Sequence, residues 1–326
     1  MDIAALLASE WAQLALYAVA GFVLLNVMLG IVTFLVLMER KVSGWMQVRL
    51  GPMEIGPWGI LVTVADAIKL MTKQDVVPRH VDRFVFRLAP ALIALPPLIA
   101  VSLVPFGKNL IFADTSVALL LVLALTSLTS MAILMAGWGS NNKYSLLGGV
   151  RSAAQDLSYE VALIFAALGP VMLAGSLSLQ DIVKAQGGVW FVFLQPLGFI
   201  LFLIAGIAEL NRTPFDIPEA ESEIVAGYHT EYSGMRFALF FMAEYANMFL
   251  VSCIVATLFL GGWQGPVLPG VLWFVLKVFA VIFVIMWVRW TFPRFRVDQL
   301  MTFGWKVLVP LGLLNILLTG GVMLLV

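Results

Sequence analysis

Glu209-Leu-Asn-Arg-Thr-Pro-Phe-Asp216-Ile-Pro-Glu219-Ala-Glu221-Ser-Glu223 places five carboxylates and one arginine between two long apolar runs. Acids so closely spaced repel one another, and partial desolvation beside an apolar phase adds to the cost. Protons, cations or a polar ligand offset that cost, so proton handling is the first chemistry the segment suggests. Pro214, Phe215 and Pro218 stiffen the backbone and insert a ring, which argues against a solvated, mobile connection.

Glu244 is the next candidate. It lies about ten residues into an apolar run, and at about 1.5 Å per residue that is about 15 Å along a helix, near mid-membrane. A carboxylate there costs roughly 2.5 to 3.5 kcal/mol, so a relay role competes with a permanently protonated side chain bonded to a neighbouring carbonyl. Glu160 follows Asp156 at helical spacing. It lies inside the membrane if its helix starts well before Leu157, and is otherwise a first-turn acid favoured by the helix dipole. Glu209 has Arg212 three residues on, the spacing of a local ion pair, and Asp66 has Lys69 at the same spacing. Glu39 precedes Arg40-Lys41, a cluster that anchors the inner end of a span, although the acid adds nothing to anchoring. His229, near Glu231 and Tyr232, titrates near neutrality or is a solvated loop histidine. His80 and Cys253 have no constellation around them, and a single cysteine excludes an internal disulfide and a cysteine-held zinc or iron–sulfur site.

The elements that position these groups belong to a membrane. The 326 residues are 62% hydrophobic and 12% charged, with mean hydropathy +1.01, outside the range of soluble domains. This predicts an all-α polytopic membrane protein, a single transmembrane domain over 1–326. About eight spans are expected, at 14–38, 84–106, 117–138, 157–177, 189–208, 235–260, 271–288 and 307–326, each near the roughly 20 residues a bilayer requires. An amphipathic interfacial helix is expected at 58–73, in the first loop after Gly51-Pro52 and Gly56-Pro57, and the acidic loop runs over 209–232. Sixteen of the 19 basic residues fall on the side of the odd-numbered loops, which places those loops inside and both termini outside. No basic n-region or cleavage site marks a signal peptide. Zero net charge gives no electrostatic reason for a nucleic-acid partner.

Several segments stand in a fixed order along the chain. They are Glu39-Arg40-Lys41, Arg49-Leu-Gly51-Pro52, Ala65-Asp66-Ala67-Ile68-Lys69, Gly137-Trp138-Gly139-Ser140-Asn141-Asn142-Lys143-Tyr144, Ala154-Gln155 and Ser158-Tyr159-Glu160. Asn211-Arg212-Thr213-Pro214-Phe215-Asp216, Glu219-Ala-Glu221-Ser-Glu223, Glu231-Tyr232, Met242-Ala-Glu244-Tyr245 and Pro293-Arg294-Phe295-Arg296-Val297-Asp298-Gln299 follow. Over nearly the whole chain this set resembles the H-type membrane subunit of bacterial complex I, the counterpart of mitochondrial NADH dehydrogenase subunit 1. Met53-Glu54, Val62 and the added acid Asp156 depart from the usual pattern.

The resemblance implies a membrane subunit of proton-pumping NADH:quinone oxidoreductase that builds the quinone chamber with the peripheral arm. Arg40, Arg49, Asp66, Arg212, Phe215, Glu231 and Tyr232 would line or flank the quinone site. Glu39, Glu160, Glu209 and Glu244 would form a proton path, with Asp216, Glu219, Glu221 and Glu223 as the acidic loop. Quinone, ubiquinone or menaquinone, would be the substrate. NADH, FMN and iron–sulfur clusters would be held by partner subunits, with no covalent cofactor and no metal in this chain. The partners implied are the iron–sulfur and quinone-site subunits of the arm, the small and antiporter-like membrane subunits, and lipid, in a cell inner membrane or alternatively an organelle inner membrane. An equivalent subunit of an energy-converting hydrogenase or another dehydrogenase complex stays open. So does a standalone ion transporter, although no internal repeat supports one.

Overall fold

Apolar runs that cross a bilayer can satisfy their backbone only as helices or closed barrels. The structure, a computed structural model described over residues 10–219 and 221–325, is helical with no strand among those residues. The first nine residues of the single expected domain and the last residue of the eighth expected span, Val326, lie outside the described residues. The helices are α1 (Glu10–Met46), α2 (Val62–Thr72), α3 (Arg83–Val101), α4 (Ala118–Gly139), α5 (Lys143–Ala174), α6 (Leu179–Ala185) and α7 (Phe191–Leu194). They continue as α8 (Pro196–Glu209), α9 (Glu221–Ile224), α10 (Gly234–Phe259), α11 (Gly270–Thr291), α12 (Val297–Phe303) and, after a π-helical turn at Gly304–Leu308, α13 (Val309–Leu325).

Among the described residues, seven helical stretches are long and apolar enough to cross a membrane, and α8 is a shorter apolar helix. The run expected at 189–208 is broken at Gln195, because Pro196 lacks an N–H and can open α8 but not continue α7. Chain turns delay α2. Trp58 stands in a separate 3₁₀ turn with φ of 58°, between Gly56 and Gly59, so the helix starts at Val62 rather than at Trp58.

Three features position the site. The α1 helix runs on through Glu39-Arg40-Lys41 to Met46, which turns Glu39 inward and Arg40 sideways. Asn142 caps α5 by accepting from the Tyr144 N–H at 2.9 Å, so α5 starts at Lys143 and Glu160 lies deep within it, not in its first turn. The most enclosed span is α10, whose hydrophobic window is 72% buried, and it carries Glu244. Beyond the far end of α10, the Lys277 ammonium donates to the carbonyls of Leu260 (2.5 Å), Gly262 (2.9 Å) and Gln264 (2.7 Å) and lies 4.2 Å from the Trp190 ring centre. That contact set ties α11 to the end of α10.

Candidate functional site

Asn211 adopts the left-handed region (φ 52°), which asparagine tolerates, and the chain leaves α8 sharply. The turn sends Arg212 into the bundle, where it is almost fully buried. Its Nε donates to Glu244 Oε1 at 2.7 Å and its Nη1 to Glu39 Oε2 at 2.8 Å, with the Tyr245 ring centre 4.5 Å from the guanidinium. Arg289, from the end of α11, donates to the other Glu39 oxygen at 2.5 Å and lies 3.9 Å from Glu244. Two acids and two guanidinium groups from α1, α10, α11 and the loop thus balance charge in a buried knot. Burial draws the Arg212 guanidinium toward neutrality, but Glu244 and Glu39 outweigh it and hold the group charged, its pKa raised. Deleting one partner of such a buried pair costs about 3–5 kcal/mol, because the other charge remains without compensation. The local Glu209–Arg212 pair suggested by spacing is not formed, and Asp66 pairs with Arg40 at 2.7 Å rather than with Lys69.

The rest of the acidic loop is packed. Thr213-Pro214 is cis, and the Pro214 carbonyl accepts from Phe295 N–H at 3.0 Å. Phe215 is buried between the rings of Tyr159 (5.4 Å) and Phe295 (5.6 Å), and its carbonyl accepts from Gln155 Nε2 at 2.9 Å. Asp216 pairs with Arg294 at 2.8 Å. Glu219 accepts from the Tyr228 hydroxyl at 3.2 Å with His229 Nδ1 3.7 Å away, and burial, then Glu244 and Asp216, push its carboxyl up to about 8. The same surroundings, burial first, push the Tyr228 phenol up. Glu223 pairs with Arg151 at 2.6 Å on the surface, and the Glu221 side chain lies outside the described residues.

Glu231 accepts from Asn142 Nδ2 at 2.6 Å, and Tyr232 stacks on Phe86 at 4.1 Å with its pKa raised, mainly by burial. These two lie beside the start of α5 and α3, away from the knot. Arg49 is exposed beside Gln47, on an open cleft of ≈ 570 Å³ whose lining includes Met53, Glu54 and Val62. Arg40 and Asp66 pair near it, across α1 and α2.

Two small cavities lie beside the knot, the larger with a mainly polar lining that includes Glu244 and the smaller with a mainly apolar one. One of ≈ 20 Å³ is lined by Glu209, Asn211, Glu219, Tyr228, Glu244 and Asn247 among others, and one of ≈ 10 Å³ by Thr126, Glu209 and Asn247. The larger exceeds the roughly 10–15 Å³ that one water needs. The structure therefore brings Glu39, Glu244, Arg212, Asp216, Glu219 and Glu209 into one region, keeps Arg49 at a separate cleft with Arg40 and Asp66 paired between α1 and α2, and sets Glu231 and Tyr232 apart. Arg289, Asn247 and Thr126 were not legible as site residues. Arg289 reads as an ordinary positive charge at a span end, and the others sit in apolar runs.

A family model described as NADH dehydrogenase matches residues 19–320. The chain is 53% identical over 316 residues to the H-type NADH-quinone oxidoreductase subunit of Geobacillus kaustophilus, covering 95% of each chain. It is 50% identical over 319 residues to the same subunit of Brevibacillus brevis, covering 96% of this chain and 95% of that one. The counterpart in Anoxybacillus flavithermus is 51% identical over 316 residues, 95% of each.

Proposed function

Because the chain belongs to the NADH dehydrogenase family, as a subunit of NADH-quinone oxidoreductase, we propose that it forms the membrane wall of the quinone chamber and couples quinone reduction to proton movement. The observation that carries this reading is the Arg212 knot. One residue of the acidic loop is ion-paired to an acid on α1 and an acid within α10, so a change of charge at the loop acts directly on Glu244. Reducing a quinone to quinol consumes two protons and changes the charge beside the loop while electrons arrive from partner subunits. Asp216 and Glu219 respond through Arg294 and Tyr228, Arg212 transmits the response to Glu39 and Glu244, and the cavities lead on to Glu209, whose charged neighbour is Glu160.

Arg40, Arg49 and Asp66, with Phe215, Glu231 and Tyr232, flank the route of the quinone, and the open cleft beside Arg49 is the mouth by which it reaches the loop. The partners are the iron–sulfur and quinone-site subunits of the peripheral arm, on the side of the acidic loop, and the small and antiporter-like membrane subunits. The membrane is the cell inner membrane, with the loop facing inside. The test is Glu244→Gln in inside-out membrane vesicles. NADH-driven quinone reduction in the presence of an uncoupler is expected to stay within about twofold of wild type, while proton uptake falls by roughly tenfold or more, as for loss of a proton-transfer group. Wild-type proton uptake in that variant removes Glu244 from the path.

A further inference from the structure

One buried acid has no part in the path described above. Asp156 is 5% exposed on α5, one helical turn before Glu160. Its Oδ2 accepts from the Ser152 hydroxyl at 3.3 Å, and Ser152 Oγ in turn accepts from Asn211 Nδ2 at 3.3 Å. The Ser130 hydroxyl faces it from α4, and its charged neighbours are Glu209 at the end of α8 and Glu160 on its own helix. Among the described residues no base pairs with it. The knot around Arg212 balances acids against guanidinium groups. Here three acids converge against hydroxyls.

The cavities supply a second, independent observation. Glu209 lines both of them, and Asn211 lines the larger and also holds Ser152. The three acids therefore connect to the Glu219–Glu244 region along two polar routes, one through Glu209 itself and one through Asn211 and Ser152. Carboxylates grouped without a cation in a low-dielectric interior cannot all ionise, so the group holds at least one proton at neutral pH, and the proton belongs to the set rather than to one member.

We propose that Asp156 is a proton-storing residue of the coupling path, sharing a proton with Glu209 and Glu160 between the acidic loop and the far side of α5. When charge at the loop changes, the O–H bond on Asp156 breaks and an O–H bond forms on Glu209 or Glu160, its two charged neighbours. Asp156 is left as a carboxylate and regains a proton from the cavity through the Ser152 hydroxyl. No electron moves in this step. The inference rests on the proton-path reading above. It adds a site that the resemblance did not carry, since Asp156 is one of the departures from the family pattern.

A structural role would need only the hydrogen bond to Ser152, which asparagine also accepts. The experiment uses the intact complex in inside-out vesicles, with Asp156→Asn, Asp156→Glu and, in parallel, Glu244→Gln. It reads subunit content, uncoupled NADH:quinone reduction, protons taken up per NADH, and the carbonyl stretch of protonated carboxyls in redox-induced infrared difference spectra. Asp156→Asn is expected to assemble and reduce quinone, to lose a carboxyl band, and to take up protons roughly tenfold less, with Asp156→Glu restoring both band and uptake. Wild-type uptake with an unchanged band in Asp156→Asn overturns the proposal, as does equal loss in both Asp156 variants. Normal uptake in Glu244→Gln with the Asp156 results as expected would defeat the reading of Glu244 and leave that of Asp156 standing.

Discussion

Glu219 shows how one residue can make the loop sensitive to pH. Its carboxyl is pushed up to about 8 from an ordinary 4.5, by burial and then by Glu244 and Asp216. In an opened loop it gives up its proton near the ordinary value, so between the two values the packed loop binds more protons than the open one. Stability contributed here is full below about 4.5 and falls as pH rises toward about 8, the reverse of a salt-bridged carboxylate. Amide hydrogen exchange across the loop, corrected for intrinsic rates, is expected to show more opening above this window than below it, and Glu219→Gln should abolish the difference. An unchanged pH dependence in that variant would place the titrating group elsewhere. At this scale the acids themselves were legible as candidates, because carboxylates between apolar runs are conspicuous. Their partners were not: Glu39 and Arg212 lie 173 residues apart, and the backbone turn at Asn211 defeats the local pairing that spacing suggests.

The loop lies close against α5 because that helix presents small residues at its first turns. Gly148 is the tightest contact, since an added Cβ would stand 2.8 Å from Tyr228 N, 2.9 Å from Gly227 Cα and 2.9 Å from Pro218 O. All three are backbone atoms, so the loop would have to move. Gly148→Ala is expected to cost about 1–3 kcal/mol, as overpacking does, and to lower quinone reduction in assembled complex. Gly188→Ala, with nothing within 4 Å of its Cβ, serves as the control and should leave thermal stability and turnover unchanged. Equal behaviour of the two variants would show that the loop does not depend on this contact. Spans were legible from hydropathy, and the break before α8 was signalled by Pro196. The π-helical turn at Gly304–Leu308 was not, because it depends on tertiary contacts: Trp305 Nε1 donates to Ser158 Oγ at 3.1 Å beside the Tyr159–Leu300 bond.

For the molecule as a whole, composition alone established a polytopic helical membrane protein, since no soluble core accounts for 62% hydrophobic residues. The excess of basic residues on one side leads to a further expectation, that both termini face outside. Alkaline phosphatase fused after Val326 should be active and a fluorescent protein fused there dark; the opposite pattern would invert the topology. The ion network also has a history within each molecule. Translation is vectorial, so Glu39 reaches the bilayer long before its partners are made: Arg212 follows 173 residues later and Arg289 250 residues later. Until then an acid sits toward the C-terminal end of α1 without its guanidinium groups, held by proton, water or insertion machinery. Biogenesis of this chain therefore finishes only when α11 arrives, and a chain truncated before Arg289 is left with an open electrostatic circuit that quality control can recognise.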